Sequence, residues 1–379
     1  MKIVKRIVGV FLLVIAIVVA LIFLTGNEYL LKGAYATYLH GTTTANINDK
    51  KHFYLDTLQA THSKDWYYHP KAKQIQLSDT LEHLLESNRS AAFIVVKRGV
   101  IRYEKYWPPY DADSRTNSFS MAKSITIMLV QIAIQNGEIP SWDTPLIKYL
   151  PELKGPYRKE LTLRHLSEMT AGLHWEEDYH GPFDITAQTY YGDHIEELML
   201  EKVPTEIEPG TQFEYQSGAT QYLAMALKKA TGKSLSNYAE QYLWKPLQAG
   251  GDAYWQQDDK DGMAIAYCCF NARARDFARF GELITNYGNY QGKQIVNEDF
   301  MRYASQGQAV PHYGQSFWIV SHKFGTPVFA MRGFLGQYII AIPEKELAIV
   351  RLGEKRQPKK DGKHPADFLF MIEEVLRQF

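Results

Sequence analysis

Three groups of residues have the types and spacing that acyl-transfer chemistry needs. The first lies in Ser118-Phe119-Ser120-Met121-Ala122-Lys123-Ser124, where Ser120 and Lys123 stand three apart. On a helix that interval puts both side chains on one face, so the amine can reach the hydroxyl. Partly desolvated by Ile125 and Ile127, the lysine spends part of its time neutral and is then able to take the serine proton. This is the Ser–Lys form of nucleophilic catalysis. Ser-x-x-Lys recurs by chance in chains of this length, so its weight comes from context. A turn-rich stretch, residues 111–117, precedes it and an apolar helical run follows. Ser120 is therefore expected at a helix N-terminus, where backbone N–H groups favour developing negative charge.

The second group is Phe213-Glu214-Tyr215-Gln216-Ser217-Gly218, shortly after Pro209-Gly210 and before another apolar run. A tyrosine in a cleft can relay a proton from nucleophile to leaving group, and Ser217 can hydrogen-bond substrate or Lys123. A purely structural Tyr-x-Ser is the alternative in a chain with 25 tyrosines, and the serine motif weighs against it. The third is Met331-Arg332-Gly333-Phe334-Leu335-Gly336-Gln337, on or beside an expected edge strand. Gly333 there marks either a close approach of substrate backbone or a bulge. An exposed N–H at Gly333 or Phe334 would complete an oxyanion hole with the N–H of Ser120. Arg332 reads either as a bidentate grip on a substrate carboxylate or as a surface ion-pair partner.

Taken in this order, the three groups resemble the Ser-x-x-Lys, Tyr-x-Asn/Ser and Lys-Thr-Gly-type motifs of class C β-lactamases, DD-peptidases and their esterase and amidase relatives. Further phrases support the resemblance, among them Leu163-Arg164-His165-Leu166-Ser167-Glu168-Met169-Thr170-Ala171-Gly172-Leu173 and Arg275-Asp276-Phe277-Ala278-Arg279-Phe280-Gly281. Gly333 followed by Gly336-Gln337 is similar to the branch that contains 6-aminohexanoate-dimer hydrolase. The resemblance runs from about residue 87 to the end of the chain. It implies a metal-free, cofactor-free acyl-enzyme mechanism, with Ser120, Lys123 and Tyr215 catalytic and Ser217, Arg332, Gly333, Phe334, Gln337 and Trp175 facing the oxyanion or substrate. Trp175, Asp178 and Tyr179 would then lie on a loop over the cleft, with plain packing an equal alternative for Trp175. Two departures stand out: Met331 occupies the place of the Lys-Thr-Gly lysine, and Ser217 that of the asparagine, so efficient penicillin hydrolysis is not expected.

The elements that must position these groups can be read from periodicity. Helical spacing marks residues 77–86, 125–134, 161–169, 222–230, 277–284 and 366–376. Residues 92–96 and 100–104 flank Arg98-Gly99 as a hairpin, and residues 317–321, 328–331, 337–342 and 347–352 read as strands, with Pro343-Glu344-Lys345 as a turn. Strands at both ends with helices between them predict one antiparallel sheet flanked by helices plus a helical lobe, an α+β, β-lactamase/transpeptidase-like body with a cleft between its parts.

Residues 7–24 are unbroken apolar sequence behind Lys2, Lys5 and Arg6, about eighteen residues and nearly the depth of a hydrocarbon core. No small-x-small triplet follows closely, so a retained transmembrane helix is preferred to a cleaved signal. Basic residues before the span place the body on the far side of the inner (cytoplasmic) membrane, periplasmic or extracellular. The expected organisation is an anchor over 1–26, an irregular connecting segment over 27–76 and a hydrolase domain over 77–379. Lys plus Arg and Asp plus Glu both number 42, which gives no footing for nucleic-acid binding. No His-Glu-x-x-His or Cys/His spacing suggests a metal. Adjacent Cys268 and Cys269 read as small buried hydrophobes, because a bridge between neighbours is strained. The expected partner is a small-molecule ester or amide. The choice among carboxylesterase, amide hydrolase, DD-peptidase and a non-catalytic envelope binding protein rests on cleft loops, not on local spacing.

Overall fold

The computed structural model describes residues 2–61, 65–179, 181–320 and 323–379. The apolar run forms one helix, Lys2–Leu24, with no buried residue, long and apolar enough to cross a membrane. Its 23 residues rise about 35 Å, against a hydrocarbon core of roughly 30 Å.

The larger sheet has seven strands in the spatial order Trp318–Val320, Val328–Gly333, Gln337–Ile342, Leu347–Gly353, Ser90–Lys97, Val100–Tyr106 and Tyr67–Tyr68. Every neighbouring pair is antiparallel except the last, which is parallel. Leu347–Gly353 lies beside Ser90–Lys97, with Ile349 opposite Val95, so the two ends of the body close on one another. These central strands are apolar without alternation because both sheet faces are covered. One face meets the helix Ala274–Thr285 and the other the helices Asp79–Ser87 and Ala366–Gln378. Asp79–Ser87 starts where the Ser78 hydroxyl accepts from the Leu81 N–H, and Leu81, Leu84 and Leu85 turn into the second core.

The helical lobe is built on Met121–Gln135, buried over nearly its whole length against Ser217–Thr231. A second sheet, in the order Tyr54–Leu58, Ala253–Gln257, Phe270–Arg273 and Arg115–Asn117, runs straight into the turn that carries Ser120. That edge strand and the buried helix after it hold Ser120 from both sides.

Three expectations are revised. Residues 27–76 are not an irregular connection: they carry the helix Tyr29–Ala36 and contribute an edge strand to each sheet. The helix expected over 161–169 shrinks to Leu163–Ser167, opened by a Thr162–His165 capping box and ended before Met169, whose backbone is left-handed at φ 60°. Cys268 and Cys269 are buried as expected but are bridged to each other, with Cys269 in the left-handed region at φ 74°. The end of the strand expected over 317–321, Ser321, lies outside the described residues.

Candidate active site

The strand Arg115–Asn117 ends in a sharp turn at Phe119, whose backbone is left-handed at φ 45° and whose N–H donates to Asn117 Oδ1 at 2.8 Å. Such a conformation is uncommon for a bulky residue and has to be held by its surroundings. It swings Ser120 into the N-cap position of Met121–Gln135, where its own N–H donates to no group among the described residues. Gly333 comes in from the sheet edge, so close that a Cβ built there would stand 2.2 Å from the Ser118 carbonyl oxygen. Only glycine allows that approach, which brings the backbone at Gly333 and Phe334 beside the serine.

Lys123, one turn into the helix and 1 % exposed, donates to Ser120 Oγ at 3.0 Å and to the Tyr267 carbonyl at 3.0 Å. Burial drives its ammonium from the ordinary lysine range down to about 8, while the charge of Glu177 opposes part of that fall. Tyr215 hydrogen-bonds Ser120 from the other side, and its ring lies 5.0 Å from the Lys123 amine. Burial, helped by Glu177, raises the phenol well above its usual value, while the bond to Ser120 and Arg332 pull it back, so Tyr215 is a neutral phenol at pH 7. The three chemical groups predicted from sequence therefore converge on one oxygen.

The remaining predicted residues are placed variously. The Ser217 hydroxyl and N–H both donate to Glu177, at 2.5 and 2.7 Å. Trp175 is buried, donates through Nε1 to Glu177 at 2.7 Å and packs 6.0 Å from the Tyr267 ring. It presses so close to the helix Ser217–Thr231 that a Cβ on Gly218 would meet it at 2.6 Å. Phe334 stands at the mouth between Phe119 and Tyr179, with ring centroids 5.6 Å from each. Gln337 is fully buried, and its amide is spent on the Phe334 carbonyl and both backbone groups of Gly353, so it turns away from the cleft. Met331 faces the core. Arg332 is half-buried, its guanidinium 4.1 Å from the Trp318 ring, and donates to His364 Nδ1 at 3.1 Å. Burial and neighbouring positive charge hold His364 down at about 4, so the ring is neutral and Nδ1 accepts.

Two functional positions escaped the sequence reading. Glu177 is the charge that faces Lys123 and the hub that binds Trp175, Ser217 and the Tyr179 hydroxyl. Arg351, fully buried, donates to the Leu335 and Gly336 carbonyls at 2.9 Å and so fixes the turn that presents Phe334. An arginine inside an otherwise apolar strand was the available signal for the latter.

Two chambers meet at Ser120, Tyr179 and Phe334. The larger, about 310 Å³, extends under the helix Tyr29–Ala36. The smaller, about 140 Å³, is lined by Tyr215, Trp318, Arg332 and Arg356.

Comparison with known proteins bears on the fold and the family. The Paenarthrobacter ureafaciens 6-aminohexanoate-dimer hydrolase is 25 % identical over 308 residues, 75 % of this chain and 77 % of that protein. A solved structure of a Bacillus anthracis protein assigned as a 6-aminohexanoate-dimer hydrolase superposes with a TM-score of 0.76 at 23 % identity, covering 91 % of this chain and 95 % of that one. A family VIII carboxylesterase superposes with a TM-score of 0.64 at 16 % identity, covering 83 % and 99 %. The Beta-lactamase family model matches residues 77–371, and the chain, with its serine, lysine and tyrosine gathered at the junction of sheet and helical lobe, belongs to that family.

Proposed function

We propose that this chain is a serine hydrolase that cleaves an ester or amide bond through a covalent acyl-enzyme on Ser120. The observation that carries the reading is the 3.0 Å contact between Ser120 Oγ and a lysine whose burial leaves part of the population neutral at pH 7. Neutral Lys123 takes the Ser120 proton as Oγ bonds to the carbonyl carbon, and the N–H groups of Ser120 and of Gly333 or Phe334 hold the oxyanion. The tetrahedral intermediate collapses as the C–O or C–N bond to the leaving group breaks. Tyr215 gives that group its proton and recovers one from Lys123. Water, deprotonated by the same pair, then attacks the acyl carbon, releases the acid and restores the Ser120 hydroxyl.

Ser217 and Trp175 act through Glu177, and Arg332, with Arg356 across the smaller chamber, supplies positive charge for an anionic substituent of the substrate. Met331 in place of a lysine weakens the case for penicillin turnover. The apolar Lys2–Leu24 helix, with Lys2, Lys5 and Arg6 gathered at its N-terminal end, serves as a single-pass anchor with the body periplasmic or extracellular. The test is Ser120→Ala in the full chain. Wild type takes up a fluorophosphonate at Ser120 and turns over p-nitrophenyl esters; the variant does neither. Undiminished labelling of the variant removes Ser120 from the mechanism.

A further inference from the structure

The larger chamber is walled on one side by the first helix after the apolar span. Tyr29, Leu30, Gly33, Ala34, Thr37 and Tyr38 all line it, as does Ser120. No described lining residue carries a carboxylate, ammonium, guanidinium or imidazole. The smaller chamber across Ser120, by contrast, holds Arg332 and Arg356. Among the described residues, the serine thus sits between a chamber with no charged lining and a cationic one.

The helix Tyr29–Ala36 is built into the body. Lys32 pairs with Asp193 at 3.2 Å, donates to the Asp258 carbonyl and lies over the Phe53 ring. Gly33 packs so tightly that a Cβ there would stand 3.2 Å from Tyr191. Between the end of the span at Leu24 and the start of this wall at Tyr29 the chain can stretch at most roughly 18 Å. At and next to the lining residues Tyr38 and Pro182 the chain carries exposed apolar side chains: Tyr38 is 69 %, Leu39 76 % and Phe183 66 % exposed. Aromatic and aliphatic groups so disposed near a span suit the interface between headgroups and hydrocarbon.

We infer that the substrate is an acyl amphiphile resident in the bilayer, whose apolar chain enters the chamber beneath the helix Tyr29–Ala36 while its carbonyl meets Ser120. The inference rests on the acyl-enzyme reading of Ser120 and on the anchor. The reaction is the hydrolysis already described: the acyl carbon passes from the leaving oxygen or nitrogen to Ser120 Oγ and then to water, and no further reactant is required. The chamber and the membrane are joined by the same short piece of chain, so the site opens where such a substrate lies.

The test uses the full chain in detergent micelles with p-nitrophenyl acetate and p-nitrophenyl octanoate. Burial of methylenes in an apolar chamber is worth up to about fourfold each in kcat/KM. Octanoate is expected to exceed acetate at least tenfold on the same basis. Ala34→Trp and Thr43→Trp, which fill the chamber from two sides, are each expected to lower the octanoate-to-acetate ratio several-fold while fluorophosphonate still labels Ser120. A wild-type ratio of one or less, with labelling intact, overturns the inference and leaves the acyl-enzyme reading standing. Absence of labelling in wild type overturns that reading instead. In phosphatidylcholine vesicles carrying the full chain, cleavage of a dissolved long-chain ester should follow its mole fraction in the bilayer. A rate set by bulk concentration, or a chain that washes off with salt, overturns the membrane route.

Discussion

Glu177 and Ser217 are joined twice, the Ser217 hydroxyl and N–H both donating to one carboxylate at 2.5 and 2.7 Å. The third residue of the Tyr-x-Ser motif therefore ties down a loop, and that loop delivers the negative charge that Lys123 feels. Gln216, between the two, holds the same loop through the Leu173 and Trp175 carbonyls at 2.8 and 3.2 Å. The motif is a mounting for the carboxylate that Lys123 feels as well as the source of Tyr215.

Activity should follow the neutral fraction of Lys123. With the amine held at about 8, kcat/KM rises with pH through that value and levels off above it. Glu177 raises the lysine, so Glu177→Gln removes that support and moves the rising limb to lower pH. A pH–rate profile for the two proteins checks the sign; a limb displaced upward would contradict the assigned charge.

Lys123→Met should be inactive yet more stable near neutral pH. Below about 8 the lysine is charged in both folded and unfolded chains, and burying that charge costs the folded state in full. Between about 8 and the ordinary lysine value the folded amine is already neutral and the cost fades. The difference amounts to roughly 3 kcal/mol, reduced by the lost hydrogen bonds to about 1–3 kcal/mol of gain for the methionine. Urea unfolding at pH 7 and above pH 10 measures it, the advantage being present at the first and gone at the second.

Tyr215→Phe should keep Ser120 labelled, because the lysine contact survives, but slow turnover by about 10²–10⁴-fold, the usual worth of a positioned proton donor. Steady-state rates on an amide and on an activated p-nitrophenyl ester separate the steps. The amide, with the poorer leaving group, is expected to lose more.

Gly218→Ala places a methyl 2.6 Å from Trp175 Cε3. The indole must yield, at a cost of about 1–3 kcal/mol in stability, and Glu177 shifts with it through the Trp175 Nε1 bond. The expected signature is a lower midpoint of thermal unfolding together with a displaced pH–rate limb. An unchanged limb would show that Trp175 packs without positioning Glu177.

That Ser120, Lys123 and Tyr215 come together was legible from type and local spacing: a one-turn interval on a helix, a turn before it, and a tyrosine before a second apolar helix. The central strands and the hairpin at Arg98-Gly99 were legible for the same reason. Glu177 was not, since the bonds that tie it to Ser217 span 40 positions in sequence and no local pattern records them. The helix Tyr29–Ala36 escaped as well, being eight residues long without a side-chain N-cap, so that packing against Ile185–Tyr191 rather than propensity sustains it. The resemblance implied that Gln337 faces the oxyanion or substrate, whereas its position in the strand turns its amide inward to Gly353.

Residues 29–58 are part of the body, so only residues 25–28 remain as leash between the apolar helix and the catalytic unit. A loose tether of about fifty residues would let an enzyme sample a shell on the order of 40 Å deep. This one has almost no radius. With its first helix in a bilayer, the protein would search an area instead of a volume. Its encounters would then be timed by lateral diffusion and crowding in the plane, and distant targets on the same side would stay beyond it however abundant they were.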